Sequence, residues 1–255
     1  MIRRLLVFLW AVVVASLAHG APPEIRTGHY VLKGDTGTLL VRRDAQQKLT
    51  FEINTIGGNC HTCDVAGVIR GHTGHADSEM QGDSASACRV AFVQESAAIR
   101  VVPKTADACR DFCGMRAGFE GTYFIPPKAC TAKNRQKARD QFMAFYRTRR
   151  YQQAENVAQT LLTGCNDFMH RIELDQVRND LALAQYHGAK PAQCLKTLSA
   201  TLATDFKDEE GLKEGGNGFY LPPCDFDNYI DVAKATWFNR ALCTKASLKK
   251  SDPKQ

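Results

Sequence analysis

Cys60-His61-Thr62-Cys63 has the two-residue spacing of a thiol–disulfide active site. A reactive pair of that kind needs a thiolate stabilised by a helix N-terminus or by nearby positive charge. Thr55-Ile56-Gly57-Gly58 before it and Asp64-Val65 after it read instead as strand, turn and strand. That context favours two structural cysteines, each bonded elsewhere. Haem attachment needs a histidine directly after the second cysteine, and Asp64 stands there.

His61, Cys63, His72 and His75 are zinc-ligating types. Zinc ligands need further hydrogen bonds to hold them in place, and His72 and His75 fall in a loop containing Gly and Ser, so they read as surface histidines. Asp225, Asp227 and Asp231 lack the glycine and terminal glutamate of an EF-hand calcium loop. They read as capping and solvated carboxylates. There is no Gly-x-Ser-x-Gly elbow, phosphate loop or His-Glu-x-x-His motif. The sequence therefore assigns no catalytic residue, metal or cofactor, and the chain reads as a binding protein rather than an enzyme.

The strongest surface signal is charge. Lys133, Arg135, Lys137, Arg139, Arg147, Arg149 and Arg150 stand against the single acid Asp140. Such a face can recruit an acidic partner, phospholipid head groups or anionic cell-wall polymer, and it is the candidate partner-binding face. An opposite patch, Asp205, Asp208, Glu209, Glu210 and Glu214, lies in a long Gly-rich loop, 204–221, beside Phe219 and Tyr220, two aromatics expected to be exposed.

Arg3-Arg4, the apolar run Leu5–Leu17 and Ala18-His19-Gly20 form a secretory signal peptide, residues 1–20. The formal charge of +6 falls to about +4 once Arg3 and Arg4 leave, too mild for a nucleic-acid binder. No later stretch has the roughly 20 apolar residues needed to span a bilayer. Export leads to an oxidising space, where thiols pair. In a Gram-negative cell that space is the periplasm.

Two styles of sequence position these residues. Tyr30–Leu32, Leu39–Val41, Leu49–Ile53, Val65–Ile69, Val90–Val93 and Ile99–Val102 are short runs rich in β-branched and aromatic residues. Gly34-Asp35, Gly57-Gly58, Gly71 and Gly82-Asp83 separate them. The pattern predicts a small antiparallel β-barrel or sandwich over 21–124, with Phe119–Phe124 as a closing strand. Pro126-Pro127 marks a linker, 125–130. The period then becomes helical: Ala138, Phe142, Phe145 and Tyr146 mark one buried face. Segments 151–163, 172–187, 191–203 and 227–243 follow, with Asp227 as a candidate N-cap for the last. The fold class is α+β as separate domains: β, then helical over 131–246, then a disordered tail, 247–255.

The ten cysteines divide six to four between the halves, which fits bridges that stay within each. Stacked helical hairpins put Cys194 near Cys243 and Cys165 near Cys224. Each such bridge closes a loop of roughly 50 residues, about 4 kcal/mol by chain entropy. In the β half, Cys109 and Cys113 are one helical turn apart, and Cys63 and Cys88 lie on neighbouring strands. Cys60–Cys130 follows by elimination.

The helical half, roughly 135–245, resembles degenerate tetratricopeptide-type hairpins, with Ala154 and Cys194 at the same small-residue crossing position. The β half carries Gly58-Asn59-Cys60-His61-Thr62-Cys63, Ala87-Cys88-Arg89-Val90, Ala108-Cys109-Arg110, Cys113-Gly114 and Ala117–Tyr123. On these residues it resembles the N-terminal domain of lysozyme-inhibitor-like exported bacterial proteins. The resemblance implies a non-enzymatic envelope protein that binds a protein partner, such as a cell-wall hydrolase or toxin that it inhibits. Two other functions compete with it: a thiol–disulfide oxidoreductase using Cys60 and Cys63, and a scaffold holding anionic polymer on its basic helix.

Overall fold

The computed structural model describes residues 23–77, 87–216 and 218–251. The expected signal segment and the turn expected at Gly82-Asp83 lie outside them. Eight strands form an antiparallel meander: β1 (Gly28–Leu32), β2 (Gly37–Arg43), β3 (Leu49–Ile56), β4 (Thr62–Arg70), β5 (Thr73–Ala76), β6 (Arg89–Gln94), β7 (Ala98–Pro103) and β8 (Gly121–Phe124). β8 returns to β1 through the pairs Val31–Phe124 and Leu32–Tyr123, which closes a barrel and leaves it no free edge.

Alternation sets which side chains face in. On β3, Phe51, Ile53 and Thr55 are buried while Glu52, Asn54 and Ile56 are exposed. The interior is filled by side chains, as expected for eight strands. Phe51 and Phe92 meet there with centroids 5.1 Å apart. β5, which the apolar pattern did not predict, turns Gly74 inward and so leaves room for that pair. A Cβ on Gly74 would sit 2.6 Å from the Phe92 ring and 2.8 Å from the Phe51 ring.

The helices are α1 (Ala106–Arg110), α2 (Ala132–Arg147), α3 (Tyr151–Cys165), α4 (Arg171–His187), α5 (Pro191–Leu198), α6 (Glu209–Glu214) and α7 (Pro223–Ser251). From α2 to α5 each packs on the next, and α7 packs on both α4 and α5. Ala154 and Cys194 are fully buried. Several expected boundaries move. α5 ends at Leu198, and a 3-10 turn, Leu202–Asp205, follows it. α7 begins at Pro223, so Asp227 lies inside the helix instead of capping it, and the helix carries 247–251 instead of a disordered tail. The segment expected to be a linker ends in a 3-10 turn, Lys128–Cys130, that leads into α2.

The five disulfides are Cys60–Cys224, Cys63–Cys113, Cys88–Cys109, Cys130–Cys165 and Cys194–Cys243. The expected pairs Cys63–Cys88, Cys109–Cys113, Cys60–Cys130 and Cys165–Cys224 are absent; Cys194–Cys243 is present. The physical reasons are local. α2 and α3 form a hairpin, so the C-terminus of α3 returns to the turn before α2, with Cys130 and Cys165 Cα atoms 5.2 Å apart. Residues 112–114 run beside β4, where Asp64 N–H donates to Phe112 O and Gly114 N–H to Thr62 O; this draws Cys113 to Cys63. Cys109 is then free to bond Cys88, which precedes β6. Cys60, on the β3–β4 turn, joins the barrel to α7 across 164 residues. The bridges therefore do not stay within separate halves.

Gly74→Val should lower stability by about 1–3 kcal/mol through overpacking, read as a fall in the urea midpoint with an unchanged slope. A second prediction concerns Asp180, partly buried on α4. Burial raises its carboxyl from 3.8 to about 6, with Arg139 pulling the other way. The folded state thus holds a proton that the unfolded state has released, and stability falls as pH rises from about 4 to 6. Asp180→Asn should gain about 1–3 kcal/mol at pH 7 and nothing below pH ~3.5, checked by urea melts at both pH values.

Candidate functional site

The barrel meets the helices at two of its turns. In the β1–β2 turn, Gly34 and Asp35 adopt left-handed backbone, φ 81° and 51°. Gly34 N–H donates to Asp167 O at 2.7 Å, and Lys33 pairs with the Asp167 carboxylate at 2.7 Å. Asp35 accepts from Arg135 Nη2 at 2.5 Å. In the β3–β4 turn, a Cβ on Gly57 would lie 2.1 Å from Arg116 O, so only glycine fits. Asn59 and Cys60 follow at φ 56° and 57°. Asn59 N–H donates to the Asp225 carboxylate at 2.9 Å, and its side-chain oxygen accepts from Cys224 N–H at 3.1 Å. The turn is thereby seated on the N-terminus of α7 and fixed by Cys60–Cys224.

Between these contacts lies a cleft of about 740 Å³, lined among others by Asp35, Ile56, His170, Ile172, Leu221 and Asp225. Ile56 is 61% exposed, large for an isoleucine. His170 caps α4: its Nδ1 accepts from Ile172 N–H at 3.3 Å. The neutral ring therefore carries its proton on Nε2. Burial lowers its pKa, with Arg171 adding to the effect and Asp35, Asp225 and Glu173 opposing it. The cleft offers an apolar lip, a neutral imidazole and the Asp225 carboxylate. This set suits binding a segment that brings an apolar side chain with a hydrogen-bonding group beside it.

The basic residues expected to share one face do not. Arg135 is buried; its Nε donates to both Glu173 oxygens at 3.0 and 3.2 Å, and its Nη1 to Cys130 O at 2.8 Å. Burial disfavours its charge, but the Glu173 and Asp35 carboxylates outweigh that and raise its pKa. Arg139 also reaches Glu173, at 3.4 Å. Arg149 and Arg150 lie beyond α2, and Arg150 stacks over the Phe145 ring at 4.5 Å. Lys133, Lys137, Arg147, Arg149 and Arg150 remain exposed. Lys137 edges a second cavity of about 560 Å³ between α2 and α3, floored by Ala138, Val157 and Leu161.

Cys60 and Cys63 are not bonded to each other, and Cys63 is fully buried. His75 lies 3.4 Å from Arg89. Among the described residues no group of three His, Cys, Asp or Glu is placed to hold a metal ion. In the acidic segment, Asp208 caps α6 through Gly211 N–H at 3.0 Å, and Glu209 pairs with Lys234 at 2.9 Å. Phe219, expected to be exposed, packs on Phe206 with centroids 5.8 Å apart, while Tyr220 is exposed. The sequence reading missed the roles of His170, Asp35 and Asn59. A Gly-Gly-Asn turn before a cysteine was the available signal for the last. Asp35 and His170 are brought near each other only by packing.

Comparison with known proteins returns no match: no family model, curated protein or solved structure is significantly similar to the chain.

Arg135→Met should cost about 3–5 kcal/mol, because it leaves Asp35 at the junction without its cation and Glu173 with Arg139 alone. Lys133→Ala, two residues away and exposed, should stay within about 0.5 kcal/mol. Denaturant melts at pH 7 read both.

Proposed function

We propose that the protein is an exported, non-enzymatic binding protein of the cell envelope, with its contact surface at the barrel–helix junction. One observation carries this reading: a preformed cleft with Ile56 exposed at its lip, held by Cys60–Cys224 and the Arg135 ion cluster. Preorganisation lowers the entropic cost of binding, and binding sites are commonly clefts with apolar lining and a few placed polar groups. The five disulfides fit an oxidising compartment. Among the described residues no helix is long and apolar enough to cross a membrane.

The partner in this reading is a protein. The β half's resemblance to lysozyme-inhibitor-like proteins points to a cell-wall hydrolase or toxin that the chain inhibits. We read α2 to α5 and the start of α7 as tetratricopeptide-type hairpins that widen the contact surface. The thiol–disulfide reading loses its motif, since Cys60 and Cys63 are each bonded elsewhere. The scaffold reading keeps five exposed cations, Lys133, Lys137, Arg147, Arg149 and Arg150.

Pull-down from envelope extract separates the two. The oxidised protein should retain one stoichiometric protein at moderate salt, Ile56→Arg should lose it, and the Arg147/Arg149/Arg150→Ala triple variant should keep it. Capture of anionic polymer alone, lost in the triple variant and at high salt, would replace the binding-cleft reading with the scaffold one.

A further inference from the structure

α7 presents one face to solvent along most of its length. Asp227, Asp231, Phe238, Lys245 and Lys249 are all exposed. Their spacing is four, seven, seven and four, symmetric about Phe238. At 100° per residue all five project within about 20° of one direction. Phe238 is 64% exposed, an aromatic ring left on the surface, and Leu248 nearby is 66% exposed. Among the described residues none of the four flanking charges makes an ion pair within 4.0 Å, although Asp231 acts electrostatically on Lys234 of the same helix.

Two features of this stripe are unfavourable for the chain alone. Asp227 and Asp231 are like charges four apart, as are Lys245 and Lys249, and such pairs repel on a helix. The helix dipole accounts for acids at the N-terminal end and lysines at the C-terminal end. It does not account for their equal distances from a surface aromatic. A second α7 laid antiparallel, with a two-fold axis at Phe238, resolves both features. Asp231 then meets Lys245 of the other copy, Asp227 meets Lys249, and the two Phe238 rings face each other. A two-fold contact requires this reciprocity, with residue i meeting j and j meeting i. The seven-residue steps suit helices crossing at a shallow angle.

We propose that this face of α7 is a self-association surface that binds a second copy of the chain in antiparallel register. The proposal stands apart from the binding-cleft reading. Exposed ion pairs each contribute little, so the dimer is reversible and salt-sensitive.

Sedimentation velocity of the oxidised protein over a micromolar concentration series tests it. The expected result is a monomer–dimer equilibrium whose dissociation constant rises about tenfold between about 50 and about 500 mM salt. Phe238→Asp and Lys245→Asp should each weaken it at least about tenfold. Both sites are exposed, and unchanged thermal melts will show that the variants fold. The double swap Asp231→Lys/Lys245→Asp recreates opposite charges across the axis and should restore the dimer to within about threefold of wild type. A wild-type protein that is monomeric throughout would overturn the proposal. So would single variants with no effect, or a double swap that stays monomeric.

Discussion

A buried guanidinium organises the junction. Arg135 is almost fully enclosed, where an unpaired charge costs several kcal/mol. It satisfies that demand from three parts of the chain at once: Asp35 on the barrel, Glu173 on α4, and the Cys130 carbonyl at the turn into α2. No two of those groups are close in sequence. The barrel, the α2–α3 hairpin and α4 must therefore be docked together before the charge is neutralised. The ion cluster makes docking selective for one relative placement, since sliding either body strands a charge.

The disulfides complete that constraint at different ranges. Cys130–Cys165 closes the first hairpin beside Arg135, and Cys194–Cys243 ties α5 to α7. Cys60–Cys224 spans the junction itself. A second buried network holds α7 in place. Tyr229 Oη donates to Asp175 at 2.7 Å, and Asn179 Nδ2 donates to Thr236 Oγ1 at 2.9 Å. Asn239 Nδ2 in turn donates to Asn179 Oδ1 at 2.9 Å. Burial raises the Tyr229 pKa, and the Asp175 carboxylate beside it adds to that, so the hydroxyl remains a donor. Because α7 is fixed along its inner face, the direction of its outer face is also fixed.

The cleft follows from these ties. It lies between the Arg135 cluster and the Cys60–Cys224 bridge, and its polar groups are partly committed already. Asp35 serves Arg135, Asp225 serves the Asn59 N–H, and His170 Nδ1 serves Ile172. What remains for a ligand is the Nε2 side of a neutral histidine, spare carboxylate lone pairs and the apolar lip at Ile56. Groups spent on holding a surface rigid suit recognition, where geometry must be kept without a ligand present.

Most elements were legible because their signals are local. Alternation fixed which residues of β3 face inward, and the apolar period marked α2, α3 and α4. β5 escaped because its inward residue is Gly74, chosen for what it leaves room for. α6 escaped because six residues make too short a period. The sequence by itself determined most of the element types, the change from β to helix near Pro126-Pro127 and the even cysteine count. Tertiary structure alone decided the cysteine partners other than Cys194–Cys243, the conversion of Arg135 from a supposed surface cation to a buried hub, and the meeting of His170 with Asp35 and Asp225. The reason is physical. Periodicity reports which face of one element avoids water, whereas a disulfide, a buried ion pair or a cleft depends on distances between elements, and nothing local in the sequence encodes those.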